Sequence, residues 1–288
     1  MPKIKYKEIR IRESGLALIE QVNSVVSDYD EQGYSLTLRQ LYYQLVSENV
    51  IENSLKSYNN LGVLLNNGRL AGYVDWNAIE DRTRFIRALQ HWSSPKARLI
   101  SAANSHNINL WQDQECYVEV WVEKDALIEI VETTADNYDV PCFSCRGYVS
   151  QSEMWEASLR FIDKTDEGKK CILLHLGDHD PSGIDMSRDI QERLNMFYAD
   201  VEVQRIALNM PQIEQYTPPP NPAKITDSRA KDYIKKHGTS SWELDALPPR
   251  VLTELINEHI LKYLDMDLFE EAQKRQEQER DLIRAVNI

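Results

Sequence analysis

From residue 117 onward, short apolar runs alternate with segments of helical character. The runs are YVEVWV (117–122), VPCFSC (140–145), CILLHL (171–176) and VEVQRIAL (201–208). Helical segments are expected at 124–137, 151–163 and 184–197, each placed between two runs. Strands that alternate with helices imply an α/β fold with a mostly parallel sheet. In an open parallel sheet the C-terminal strand ends face the crevice where ligands bind. The residues just past each run are therefore the first place to look for chemistry. Beyond the sheet, YTPPPNP (216–222) reads as a proline-rich loop that cannot be a central strand. Residues 249–287 read as helical and end in the charged stretch FEEAQKRQEQERDLIRAV, either a solvated helix or a dimer or partner contact.

The front of the chain has a different pattern. Residues 14–30 place Leu16, Ile19, Val22, Val25 and Val26 at helical spacing. A second helix is expected over 37–48, with Thr37 or Ser35 as its cap, and a third over 55–69, ended by Gly72. YVDWNAIEDRTR (73–84) then reads as a short extended turn carrying Asp81, Arg82 and Arg84. Three short helices and a β excursion fit a winged variant of helix-turn-helix. The expected division is thus a winged-helix DNA-binding domain over 1–110 and an α/β domain with C-terminal helices over 111–288.

Charge separates the same two parts. Residues 1–110 hold 13 Lys and Arg against 11 Asp and Glu, whereas 111–288 hold 20 against 35. An acidic half either repels phosphate or gathers carboxylates for metal ions. Four cysteines in 288 residues are too few for a disulfide scaffold. Cys142 and Cys145 form one CxxC, read as apolar filling on a strand in preference to a metal or redox site. No run reaches the ~20 apolar residues of a membrane helix. The N-terminus MPKIKYKEIRIRE lacks the apolar region of a secretory signal. The expectation is a cytoplasmic protein without a membrane partner.

TLRQLYYQLV (37–46) carries two adjacent tyrosines. Leu38, Leu41, Tyr42 and Leu45 make one apolar stripe, so Tyr42 belongs to the core. Arg39 and Tyr43 lie four apart on another face, within reach of each other. Tyr43 is expected to be exposed, and the guanidinium to favour its phenolate and hold a phosphate before it. A tyrosine nucleophile attacking a phosphodiester needs that arrangement. A surface Arg/Tyr neighbour pair without catalytic meaning is the plainer reading of this segment alone.

Glu123 closes the first run, and Asp178 and Asp180 follow CILLHL in GDHDPSG. Three carboxylates at neighbouring strand ends repel one another, and a hard divalent cation, Mg²⁺ or Mn²⁺, relieves this. The D-x-D spacing points both aspartates to one side of an extended chain and His179 to the other. For Asp180 alone, an N-capping aspartate is the simpler account.

VEKDAL followed by GDHDPSG resembles a Toprim domain. With the upstream LRQLYY, the chain resembles the A subunit of type IIB topoisomerases (topoisomerase VI) and their relatives that make meiotic double-strand breaks. Those proteins join a winged helix bearing R-x-x-Y-Y to a Toprim domain bearing D-x-D-P-x-G. The motifs fall on Arg39, Tyr42 and Tyr43, and on Asp178, Asp180, Pro181 and Gly183, within roughly residues 14–200. The chain is shorter than a full A subunit and looks like the compact "mini-A" versions of phages and mobile elements, which places it in a bacterial or phage-infected cell.

The resemblance implies Mg²⁺-dependent cleavage of double-stranded DNA. Tyr43 attacks and stays on the 5′ end, Arg39 holds the phosphate, and Glu123, Asp178 and Asp180 bind one or two Mg²⁺ ions. It also implies a homodimer in which one chain gives the tyrosine and the other the metal. Arg69, Arg82 and Arg84 are candidate DNA contacts. No phosphate-cradling GxxxxGK[ST] is present, so ATP would be handled by a separate B-type subunit. In WELDALPP, Glu243 and Asp245 read equally as outer carboxylates of the metal site or as a turn before a helix. Two other readings are a Toprim nickase or nuclease that uses water, and a non-catalytic DNA-binding module.

Overall fold

The computed structural model describes residues 3–31, 33, 35–80, 88–224 and 226–286. Four strands, β1 (Cys116–Val122), β2 (Cys142–Ser144), β3 (Lys170–Leu176) and β4 (Val201–Ala207), form one parallel sheet in the order β2-β1-β3-β4. The four expected runs supply these four strands, so the α/β reading holds. Every residue from Cys171 to Leu176 is at most 3 % exposed, as expected of a strand covered on both faces.

Eleven helices are present among the described residues. They are α1 (Glu13–Glu31), α2 (Leu38–Ser47), α3 (Leu55–Leu70), α4 (Pro95–Asn104), α5 (Ile128–Asp136) and α6 (Gln151–Asp166) in the first part of the chain. Then come α7 (Pro181–Met196), α8 (Met210–Tyr216), α9 (Ala230–His237), α10 (Pro249–Leu261) and α11 (Met266–Arg284).

Alternation along the strands sends side chains to two cores. Val118, Val120, Val122, Ile172, Leu174 and Leu176 meet Ile130 and Val131 of α5 and Leu252 and Ile256 of α10. Trp121 and Leu173 meet Phe161 of α6 and Ile190 and Leu194 of α7. Each fully buried side chain of this size contributes about 1.5–3 kcal/mol of transfer free energy. β1 has β2 on one side and β3 on the other, so the chain reverses direction across the sheet between β1 and β3. That switch point opens a crevice at the strand ends, and Val122 is paired in register with Leu176 there.

The front helices α1–α3 enclose a third core of Ile19, Val22, Leu41, Tyr42, Leu45, Leu61 and Leu65. A capping box starts α2: the Gln40 amide donates to Thr37 Oγ1, and the Thr37 amide donates to Gln40 Oε1 at 2.9 Å. Gly72 ends the α3 segment at φ +79°, where a Cβ would also press on Lys5 at 3.0 Å. Leu36 and Ile79 form a lone parallel bridge. Arg82 and Arg84 lie outside the described residues.

Three helices were not anticipated: α4, α8 and α9. The continuous helical tail is in fact two helices, because Asp265 accepts from the amides of Asp267 and Leu268 and starts α11 afresh. The charged face of α11 has a partner within the chain. His106 and Glu279 are 2.6 Å apart, and Arg280 donates to the His106 carbonyl oxygen, beside the end of α4. The proline-rich loop adds a two-residue strand, β5 (Asn221–Pro222), antiparallel to β6 (Ser240–Ser241). Among the described residues no helix is long and apolar enough to cross a membrane.

Candidate functional site

Glu123 and Asp178 stand side by side because β1 and β3 end level with each other. The Glu123 amide donates to the Leu176 carbonyl at 2.8 Å, and the Asp178 amide donates to Glu123 Oε2 at 2.8 Å. Glycine is required between them: a Cβ on Gly177 would stand 2.9 Å from Glu123 Oε2, and one on Gly183 would stand 2.2 Å from the Asp178 carbonyl oxygen. Asp180 is the N-cap of α7, accepting from the Gly183 amide at 2.7 Å and the Ser182 hydroxyl at 2.9 Å. Capping accounts for Asp180 by itself, yet it leaves the carboxylate near enough to Glu123 to help raise that acid, after burial. His179 turns the opposite way, as its position between the aspartates implies. Its Nδ1 lies 2.8 Å from Tyr233 Oη, and its backbone pairs with Trp242.

A buried ammonium occupies the crevice. Lys124 Nζ lies 2.9 Å from Asp178 Oδ1 and 3.0 Å from Asp245 Oδ1, and it also donates to Glu243. Arg39 reaches the same acids from the front helices: its Nε donates to Asp245 Oδ2 and its Nη2 to Glu243 Oε2, both at 2.7 Å. Of the two readings of WELDALPP, the turn before a helix is the one realised. The 3₁₀ turn Leu244–Ala246 precedes α10, and the carboxylates of this segment serve as partners of these two cations. Its backbone contributes too, since the Leu244 amide donates to Asp178 Oδ1 at 2.7 Å.

These contacts set the acidities. Burial lifts the pKa of Asp178 to about 8 despite Lys124, helped by the neighbouring Glu123, Glu243 and Asp245 carboxylates. Burial likewise raises Glu123. For Lys124, burial opposes the charge, but Asp178, Asp245 and Glu243 outweigh it and keep the ammonium protonated. Glu243 is held low because Lys124 and Arg39 overcome its burial.

Tyr43 differs from expectation. The face of α2 read as solvated is covered by the 3₁₀ turn, whose Ala246 joins the front core, and Tyr43 is only 8 % exposed. Arg39 does lie beside it, 5.7 Å from the ring centre. The phenolate is not favoured: burial, then Glu243 and Asp245, push the Tyr43 phenol up to about 12 against the opposing pull of Arg39 and Lys124. Tyr43 Oη has no hydrogen-bond partner among the described residues. Tyr43, Arg39, Tyr42, Asn53 and Tyr58 line a cavity of about 280 Å³. Arg39 also walls a second one of the same size with Glu123, Lys124 and Arg146. Tyr42 is a core residue as read, with its hydroxyl donating to Asn53 Oδ1 at 2.9 Å.

Arg205, in β4, braces the whole D-x-D turn. Its guanidinium donates to the carbonyls of Gly177 (2.8 Å), Asp178 (2.6 Å) and Gly183 (2.9 Å). Burial draws its own pKa down to about 10. A lone cation inside the strand VEVQRIAL, and a lysine directly after Glu123, were the available signs of both buried counter-charges. Arg69 is engaged elsewhere: its Nη2 donates to the Ile79 carbonyl at 2.6 Å and fixes the turn after α3. Cys142 and Cys145 are free, and burial pushes their thiols up to about 11 and about 12, as suits apolar filling.

The donor set fits a hard divalent cation in kind, being all oxygen, and burial together with the crowding of its carboxylates raises both Asp178 and Glu123. Its arrangement is another matter: among the described residues no three His, Cys, Asp or Glu side chains are placed to hold a metal ion. Glu123 faces a backbone amide, Asp180 caps α7, and Lys124 neutralises Asp178.

Fold and site together define an α/β protein with an acidic, cation-paired crevice at the switch point of a parallel sheet. No protein-family model, curated protein or solved structure matches the chain.

Proposed function

We propose that the chain cuts double-stranded DNA by tyrosine transesterification, as a compact relative of the topoisomerase VI A subunit. In this reading α1–α3 are a winged-helix module and the sheet is a Toprim domain. One observation carries the proposal. An unbroken line of ion pairs runs from Arg39 through Asp245 to Lys124 and Asp178, joining the tyrosine helix to the D-x-D turn.

In the reaction, Tyr43 Oη bonds to a backbone phosphorus, the bond from phosphorus to the 3′ oxygen breaks, and that oxygen leaves as a hydroxyl. The 5′ end stays on the protein. Tyr43 is protonated and Arg39 is paired with carboxylates in the arrangement seen, so this is a resting state. A phosphate entering beside α2 replaces Glu243 and Asp245 as the partner of Arg39. Moving those two carboxylates away eases loss of the Tyr43 proton, because both raise its pKa. Glu123, Asp178 and Asp180 are the residues that would hold Mg²⁺ or Mn²⁺ once Lys124 releases Asp178. Bound there, the cation supplies charge neutralisation at the phosphate. A homodimer and a separate ATPase subunit belong to the same proposal.

The burial of Tyr43 favours a second reading, in which the acidic crevice directs water at the phosphate and the tyrosine is structural. Supercoiled plasmid incubated with the protein and Mg²⁺, then run on a gel with and without protease, separates the two. Transesterification leaves protein on the broken ends, and Tyr43→Phe abolishes it. Broken ends free of protein in both wild type and Tyr43→Phe assign the cut to water.

A further inference from the structure

A cationic ridge lies beside the D-x-D turn, in the half of the chain that is otherwise acidic. Residues 222–237 carry five Lys and Arg against two Asp, whereas 111–288 as a whole carry 20 against 35. The ridge is built on α9, which is fastened to the site. Tyr233 on its buried face places Oη 2.8 Å from both Nδ1 and the carbonyl oxygen of His179, the residue between Asp178 and Asp180. The opposite face is solvated, with Lys231, Lys235 and Lys236 all exposed. Among the described residues none of these three has a carboxylate oxygen within 4.0 Å of its Nζ. Lys224 continues the ridge to the rim of the crevice: its side chain is 72 % exposed, with Nζ 4.0 Å from Asp180 Oδ2. It also helps hold the Glu243 acid low. Arg229 has a different task, pairing with Asp185 and Asp227 and stacking on Tyr148, which fixes the loop before α9.

We infer that Lys224, Lys231, Lys235 and Lys236 form a track for the phosphate backbone of double-stranded DNA, leading it along α9 to the carboxylate crevice. The inference rests on the function proposed above. Lys231 and Lys235 stand one helical turn apart, about 6 Å along the axis, so successive cations meet a polyanion rather than one small anion. Lys231, Lys235 and Lys236 carry no ion pair among the described residues, so their charges face solvent and are open to an incoming phosphate. Lysine suits the role because its charge sits on a flexible stem that follows a backbone without reading bases. The ridge also offsets, at the entrance, the repulsion that a half with excess carboxylates exerts on DNA.

The test is fluorescence anisotropy of a labelled duplex with the full chain, without divalent metal, between about 50 and 200 mM salt. Lys231→Ala/Lys235→Ala/Lys236→Ala should lower the slope of log affinity against log salt by about 2.7, near 0.9 for each lysine removed from a phosphate. Charge reversal, Lys231→Glu/Lys235→Glu, should weaken binding more than the triple alanine change does. Unchanged thermal unfolding would show that both variants fold, as expected for exposed side chains. An unaltered slope and affinity, failure of the wild type to bind duplex, or tighter binding of RNA at the ridge would each overturn the inference. Tyr43→Phe distinguishes the two claims. If that variant still makes protein-linked breaks while the lysine variants lose the salt slope, the tyrosine assignment fails and the ridge stands.

Discussion

Arg39 and Lys124 share the Asp245 carboxylate, one oxygen each, at 2.7 and 3.0 Å. The Asp245 side chain is fully buried, Lys124 nearly so, and Arg39 is 45 % exposed. Removing the shared anion leaves two cations facing each other in a partly dry site. Breaking a buried pair from one side costs about 3–5 kcal/mol. Asp245→Asn should therefore lower stability in urea unfolding by about 3 kcal/mol. Arg39→Ala removes only a half-exposed partner, with Lys124 still neutralising Asp245, and should cost about 1 kcal/mol. Equal effects of the two changes would show that the carboxylate is not shared energetically.

His175 gives the protein a built-in acid sensitivity. It is fully buried at the end of β3, with Nδ1 2.8 Å from Ser187 Oγ, and burial together with Arg205 pushes its pKa down to about 3. In the unfolded chain the imidazole takes a proton near 6.5, while in the native state it does not. Its contribution is thus complete above about 6.5 and is lost as pH falls toward about 3, at about 1.4 kcal/mol per pH unit. His175→Asn retains a partner for Ser187 and removes the titration. The stability gap between wild type and variant should narrow by about 2 kcal/mol from about pH 6.5 to about pH 5. Parallel stability curves would rule out a neutral buried imidazole.

Much of this architecture was legible because it follows from local pattern. The runs around Val118–Val122 and Ile172–Leu176 declared the sheet, and the cap expected at Thr37 or Ser35 marked the start of α2. Glu123 and Asp178 were found as neighbours because strand ends in a parallel sheet converge whatever the loops do. The burial of Tyr43 was not legible, since it depends on Asp245 and Ala246 some 200 residues further on. Helical spacing on α2 gives the face of a side chain and not what later covers that face. Lys124 and Arg205 were overlooked for a related reason. Their residue type reads as surface, and only the charge balance of a crowded acidic crevice requires buried cations. The helix α9 went unread because a short lysine-rich segment after a proline loop has one apolar anchor, Tyr233, and little periodicity.

Arg205 stiffens the D-x-D turn and not the sheet around it. Its planar guanidinium reaches three carbonyls of the turn at once, and an ammonium at the same place serves them less completely. Arg205→Lys should leave the sheet folded yet loosen residues 177–183. Hydrogen exchange should then speed up at the Asp178 and Gly183 amides, while the β1 and β3 amides keep their protection. Uniform acceleration across the sheet would mean that Arg205 supports the domain as a whole and not the turn.

The two adjacent tyrosines should separate stability from chemistry. Tyr42 donates its hydroxyl to Asn53 Oδ1 at 2.9 Å and lies 3.2 Å from the Ser54 carbonyl oxygen. Tyr42→Phe leaves those acceptors without their donor, at a cost of about 1 kcal/mol, and should leave plasmid cleavage unchanged. Tyr43 has an equally packed ring, but its hydroxyl is unbonded among the described residues. Tyr43→Phe should therefore change stability by less than about 0.5 kcal/mol while abolishing protein-linked breaks. Tyr43 borders the cavity beside α2, so its hydroxyl has the access that the proposed attack requires and makes no bond that the change would break. If Tyr43→Phe instead destabilises the chain as much as Tyr42→Phe, that hydroxyl is structural and the water-based reading of the crevice takes its place.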